Sequence, residues 1–171
     1  VAYVQLRDLE LIAPTLGRQT SDVVLREAAA RIARVAETFG HAAYAPAETF
    51  IVVALDPRRL DALVQALTEV IDTPVQGDSA TFTLEAWIGV ARSRDGAEPA
   101  ETVIAHAALA ALRARREHAR VLPYDPALSA QAAERLALAR RLRKAVESGG
   151  FELVYQPIHR LADGRIVAVE A

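Results

Sequence analysis

No cysteine occurs in this chain, which excludes a disulfide frame, a thiolate nucleophile and a cysteine-based zinc site and suits a reducing cytoplasm. No charge of one sign dominates either: 20 basic and 22 acidic side chains, largely interspersed, leave a formal net charge of −2. Such a balance offers no field to draw in nucleic acid or an anionic membrane. Nowhere do about 18 apolar residues run without a charge, so no membrane segment is expected. The N-terminus lacks the basic start and apolar core of a signal peptide. What is present is a chain of 171 residues that is 52% hydrophobic, enough for one full core and a linker. It begins with Val1 rather than methionine and stops in mid-pattern at Ala171, which predicts a piece of a longer protein.

Val1 to Leu6, apolar except for Gln5, predicts a first buried strand. After Gly17 a polar gap ends in Thr20, Ser21 and Asp22, three N-cap candidates. Leu25, Ala28, Ile32, Val35 and Phe39 then recur at helical spacing up to Gly40. Ala42 to Ala45 and Phe50 to Leu55, separated by a break at Pro46, predict a hairpin. Asp56 and Pro57 start a further helix with a stripe of Leu60, Leu63, Val64, Leu67 and Ile71. Thr81 to Ala91 predicts a central strand, and Asp95 with Gly96 a loop. Pro99 opens a helix whose stripe of Val103, Ile104, Ala107, Ala111 and Leu112 is thin enough to pack close to a sheet. Val121 to Tyr124 predicts a last strand, which Pro123 confines to an edge. This order predicts an α+β sandwich, its mainly antiparallel sheet covered on one face, ending near residue 126.

Beyond it, Ser129 caps a helix running to Gly149 that reads as a linker over residues 127–149. Phe151 to Ile158 and Arg165 to Val169 flank Asp163 and Gly164, a pair that favours a hairpin. With its partner strands elsewhere, this hairpin is expected to stand detached from the main core. The four histidines, at positions 41, 106, 118 and 159, lack the i, i+4 spacing of a helical zinc pair. Trp87, on the predicted central strand, reads as core.

Three stretches, LELIAPTLGRQTSD, AYAPAETFIVVAL and WIGVARSRDG, resemble in order and spacing the segments of the GGDEF family of diguanylate cyclases. ALAALRARREHARV is similar to that family's last helix, with one residue missing near His118. The resemblance covers about residues 1–126 and implies the nucleotidyl-cyclase-like, ferredoxin-like sandwich. RLRKAVESGGFELVYQPIHRLADGRIVAVEA resembles the opening of an EAL domain, a cyclic di-GMP phosphodiesterase type, so residues 150–171 read as its truncated start.

Joining two GTP molecules needs metal ions on the triphosphates and a turn whose backbone N–H groups reach phosphate oxygens. What the resemblance implies, residue by residue, is a degenerate site. The metal-binding aspartate falls on Gln5 and the acidic third letter of the signature on Glu48, leaving one carboxylate of two for Mg²⁺ or Mn²⁺. The signature's two glycines fall on Pro46 and Ala47; proline fixes φ and has no N–H to donate. Thr49 replaces the second acid, and only Phe50 keeps its identity. The guanine-contacting pair falls on Ala13 and Asp22, and a phosphate-contacting lysine on Arg115. Each survivor has a plainer reading: Asp22 as a carboxylate at a helix start, Glu48 as a solvated turn acid, Arg115 as part of a solvated face with Arg113 and Arg116. The RxxD of product inhibition would fall on Glu37 and Gly40 and is absent. In the EAL-like tail, Gln156 matches a position near the substrate and Glu170 a ligand of the catalytic metal, Mg²⁺ or Mn²⁺ in a complete domain.

Two functions follow from the resemblance. One is an inactive regulatory domain, binding GTP weakly, that controls an adjoining EAL domain acting on or sensing cyclic di-GMP. The other is a structural module for homodimer contacts or docking, with no nucleotide. Both imply a cytoplasmic domain without catalysis of its own, whose parent could be anchored to a membrane upstream.

Overall fold

The computed structural model describes residues 1–77, 80–93 and 98–171, the Glu10 side chain excepted. The loop expected at Asp95 and Gly96 lies outside the described residues. Two compact units make up the chain, Val1–Ser129 and Ala130–Ala171. No helix among the described residues is long and apolar enough to cross a membrane.

In the first unit β1 (Ala2–Leu6) alternates between buried and half-buried residues. Ala2, Val4 and Leu6 enter one core while Tyr3 and Gln5 face the other side, as the two-residue period of a strand requires. Next come α1 (Leu9–Leu16) and α2 (Arg18–Phe39), so α2 starts before Thr20, Ser21 and Asp22. Gly17, at φ 91°, ends α1 and serves as N-cap of α2. Thr20 therefore does not cap; its hydroxyl donates back to the Leu16 carbonyl at 3.1 Å, and Asp22 lies past the first turn.

The expected hairpin forms from β2 (Gly40–Ala45) and β3 (Thr49–Ala54). A 3₁₀ turn, Pro57–Arg59, leads into α3 (Leu60–Asp72), and Asp56 caps it by accepting from the Arg58 amide at 3.0 Å. Hydrogen bonds from the Arg58 side chain and amide hold the Asp56 carboxyl below its ordinary range. This contribution is complete above the unfolded carboxylate range and is lost as pH falls through the folded one.

The strand expected over residues 81–91 is instead two. β5 (Thr81–Phe82) pairs with β4 (Val75–Gln76) in a small ribbon, and β6 (Ala86–Val90) enters the main sheet. The chain changes sheets where Leu84 is buried and the Arg7 amide donates to the Glu85 carbonyl at 2.8 Å. After α4 (Ala100–Glu117), β7 (Val121–Pro123) closes the sheet at its edge, as Pro123 demands. The strand order is β2-β3-β1-β6-β7, antiparallel except for the parallel pair β6 and β7.

The sheet is covered on both faces, not one. α2 and α3 bring Val24, Ile32, Leu63 and Leu67 onto Val4, Val52 and Ile88. On the opposite face α4 lies so close to Gly89 that a Cβ there would sit 1.9 Å from the Ala107 carbonyl oxygen. The alanines of α4, with no bulk to hold the helix off, make that approach possible. The result is the α+β sandwich with a mainly antiparallel sheet.

α5 (Pro126–Glu147) begins three residues before Ser129: Pro126 is its first residue, and the Asp125 carboxylate accepts from the Ala127 amide at 2.9 Å. The second unit holds the greater part of α5 and an antiparallel hairpin of β8 (Gln156–His159) and β9 (Ile166–Glu170), a two-stranded sheet of its own. Gly164 turns it at φ 70°.

Candidate functional site

Gln5, near the end of β1, has Thr49 of β3 and Trp87 of β6 as its cross-strand partners. The three side chains therefore form one row across the sheet, on the face that α4 covers. Thr49 is 1% exposed, and its hydroxyl donates to the Ala47 carbonyl at 3.0 Å. Trp87 is not core. It is half-buried, and guanidinium groups cover it: Arg7 lies 5.0 Å and Arg115 5.8 Å from the ring centroid. Such cation–π contacts suit an indole that reaches past the apolar part of its sheet. Arg7 is also ion-paired with Glu85 and stands 3.9 Å from Asp8.

The turn joining β2 to β3 packs beside this row. Ala47 and Glu48 have φ of 59° and 50°, the left-handed region that glycine tolerates best. Alanine is thus held in a glycine conformation, whereas Pro46 precedes the left-handed pair and loses only its N–H. The Glu48 carbonyl accepts from the Leu6 amide at 3.1 Å. Phe50 turns to the opposite face, buried, with Tyr44 edge-on at 5.3 Å.

The other positions singled out in the sequence do not all converge here. Asp22 is exposed on α2, where its carbonyl accepts from Arg26 at 3.1 Å, and Ala13 is half-buried on α1. Among the described residues no hydrogen bond or ion pair joins the Asp22 carboxylate to the Gln5 row. In the second unit Gln156 and Glu170 are cross-strand partners on one face of the hairpin. Arg7 escaped notice in the sequence, although its position two residues after Gln5, just past the end of β1, was the available signal. A cavity of about 250 Å³ opens between Arg7, Trp87, His118 and Arg120. A larger one, about 420 Å³ and mainly apolar, lies at the far end of the sheet against Val53, Leu60 and Val103.

The donor chemistry tests whether the metal of a cyclase fits. Gln5 presents a neutral amide and Glu48 a single carboxylate, while the cation of Arg7 stands two residues beyond Gln5. Among the described residues no three His, Asp or Glu side chains gather as a metal site would require. Magnesium and manganese prefer several anionic oxygens, and this set does not fit them.

A central strand ending beside a β-hairpin turn, with helices on both faces, is the architecture of a nucleotidyl-cyclase-like domain. The chain belongs to the diguanylate cyclase, GGDEF domain family, whose sequence model matches residues 1–120. Among curated proteins it is similar to the cyclic di-GMP phosphodiesterase NbdA of Pseudomonas aeruginosa, with 27% identity over 176 residues, 100% of this chain and 22% of that protein. The chain spans about a fifth of the length of the curated relatives it matches. Among solved structures, the GGDEF domain of TpbB (YfiN) from P. aeruginosa superposes with a TM-score of 0.65 at 18% identity, over 77% of this chain and 80% of that one. An EAL/GGDEF domain protein from M. capsulatus gives 0.63 at 19%, over 73% and 83%. At such identities the structures speak for the fold.

Proposed function

We propose that residues 1–126 form a catalytically inactive regulatory domain of a cyclic di-GMP signalling protein, controlling an EAL-type domain whose start is residues 150–171. The observation that carries this reading is Gln5, a neutral side chain between Thr49 and Trp87 where the family's chemistry needs a metal-binding carboxylate. Pro46 removes a backbone donor from the turn that would hold phosphate. What survives is a cationic, aromatic corner of Arg7, Trp87 and Arg115, which supports weak binding of GTP without turnover. The pairing of Gln156 with Glu170 supports the EAL reading of the tail, as does the match to a relative named as a cyclic di-GMP phosphodiesterase, which runs over the whole of this chain, tail included. In this reading the domain works in the cytoplasm, residues 127–149 connect the two domains, and the metal needed for hydrolysis is held wholly by the EAL domain.

Ala13 and the exposed Asp22, which leave the guanine end with few contacts, favour a second reading: a docking or homodimerisation module with no nucleotide. Thermal denaturation separates the two. Under the first, GTP raises Tm with a saturable dose dependence and changes phosphodiesterase rate or cyclic di-GMP affinity in the complete protein. A flat Tm, together with a neighbouring domain that is unaffected by deleting residues 1–126, favours the second. No response to GTP or to that deletion overturns the regulatory reading.

A further inference from the structure

Tyr124 is the point at which three elements of the first unit meet. Its amide donates to the Val90 carbonyl, at the end of β6, at 2.7 Å. Its ring stacks on His106 of α4, with centroids 3.9 Å apart and planes 11° from parallel. Its hydroxyl shares a 2.7 Å hydrogen bond with Ser129 in the first turn of α5. Around that contact Leu128 is buried and the Asp125 carboxylate caps the Ala127 amide, while His106 Nδ1 stands 3.4 Å from the Glu98 carboxylate. These contacts root the first turn of α5 on the domain.

The opposite end of α4 carries Arg115, over Trp87. Nine residues of helix separate His106 from Arg115, a span of about 14 Å at 1.5 Å per residue. Between them the helix backbone rests directly on Gly89, where a Cβ would meet the Ala107 carbonyl oxygen at 1.9 Å and the Ala111 amide nitrogen at 2.2 Å. With no compressible side chain in that contact, little of a displacement applied at one end of α4 can be absorbed there.

We propose that Tyr124 is a latch by which α4 holds the first turn of α5, so that a ligand drawing on Arg115 shifts His106 and is felt at Ser129. The proposal rests on the regulatory reading for its purpose but not for its existence, since the latch is a property of Val90, His106, Tyr124 and Ser129 alone. It has two arrangements, engaged and released, and the ligand acts by favouring one of them. Because α4 and α5 touch the latch through separate groups of one side chain, the ring and the hydroxyl can be removed independently.

Hydrogen exchange on the complete 171-residue chain tests the latch. Tyr124→Phe deletes the hydroxyl and keeps the stack; His106→Ala deletes the stack and keeps the hydroxyl. Each is expected to speed exchange of amides 128–132 by roughly fivefold, the worth of one net hydrogen bond or ring contact, with amides of β1 and β3 unchanged. Parent rates at 128–132 in both variants would overturn the latch. Ser129→Ala, which removes the other half of the hydroxyl contact, serves where His106→Ala fails to fold, and must reproduce Tyr124→Phe. In the complete protein, a parent that responds to GTP beside a Tyr124→Phe variant that responds equally refutes the latch and leaves regulation standing. A parent that responds neither to GTP nor to deletion of residues 1–126 refutes regulation, and the exchange rates then decide the latch alone.

Discussion

The Glu48 carbonyl accepts a 3.1 Å hydrogen bond from the amide of Leu6, which ties the β2–β3 turn to the end of β1 and fixes both against the central sheet. Because the turn is held there, Ala47 cannot relax out of φ 59°. Ala47→Gly removes that strain and is expected to stabilise the domain by about 1 kcal/mol, raising Tm by about 3 °C. A differential scanning trace of the pair checks it; an unchanged or lower Tm would mean that the turn already relaxes in solution.

Catalysis is expected to be absent and hard to restore. GTP with Mg²⁺ or Mn²⁺ should yield no cyclic di-GMP above a blank without enzyme, measured by chromatography. Gln5→Asp returns one carboxylate beside Glu48, yet Arg7 stays just past the end of β1 and Pro46 still supplies no N–H. The single substitution should therefore remain inactive, and turnover by it would show that the turn and Arg7 matter less than the missing acid.

If GTP is held at the Arg7, Trp87 and Arg115 corner, Trp87→Ala and Arg115→Ala should each weaken it about tenfold, roughly the loss of one desolvated cation–π or ionic contact. The Asp22→Ala variant separates guanine recognition from a solvated helix acid: an unchanged Kd means the latter. Titration followed by the Tm shift reads all three. A Tm shift that survives both Trp87→Ala and Arg115→Ala places the nucleotide elsewhere.

Most of the fold was legible because its signals are local. The stripes of α2, α3 and α4, the Asp56–Pro57 start and the edge position of Pro123 each follow from spacing or from a single residue's geometry. The misreadings are tertiary. Gly17 begins a helix that Thr20, Ser21 and Asp22 were better suited to cap, because α1 ends on it. Residues 81–91 have strand propensity throughout, but the bond from Arg7 to the Glu85 carbonyl divides them between two sheets. In the site, the structure places Gln5 between Thr49 and Trp87, and Pro46 and Ala47 in the turn between β2 and β3. Trp87 was misplaced in the core because a sequence cannot show that Arg7 and Arg115, 108 residues apart in numbering, close over one indole.

The close contact at Gly89 makes a sharp prediction about rigidity. Gly89→Ala must push α4 off the sheet, since the new Cβ meets backbone atoms of Ala107 and Ala111 and not the end of a movable side chain. Destabilisation of about 3 kcal/mol is expected, at the upper end for overpacking. A chemical denaturation midpoint within error of the parent would show that α4 has slack, and with it that the helix cannot act as a rigid body.

Under the proposed reading, coupling between the domains runs through α5, the covalent path from residues 1–126 to the EAL-type segment. Ala139 lies inside that helix. Proline there removes a helix hydrogen bond and clashes with the preceding turn, costing about 3 kcal/mol locally and kinking the helix, while the first unit's core residues are untouched. In the complete protein, Ala139→Pro is expected to leave the Tm of the first unit within about 1 °C of the parent. It should abolish or invert the effect of GTP on phosphodiesterase rate or cyclic di-GMP affinity. A variant that keeps the full GTP response would mean that the domains communicate by direct docking and that α5 is a tether; in that event changes in the length of residues 130–148 should be tolerated as well.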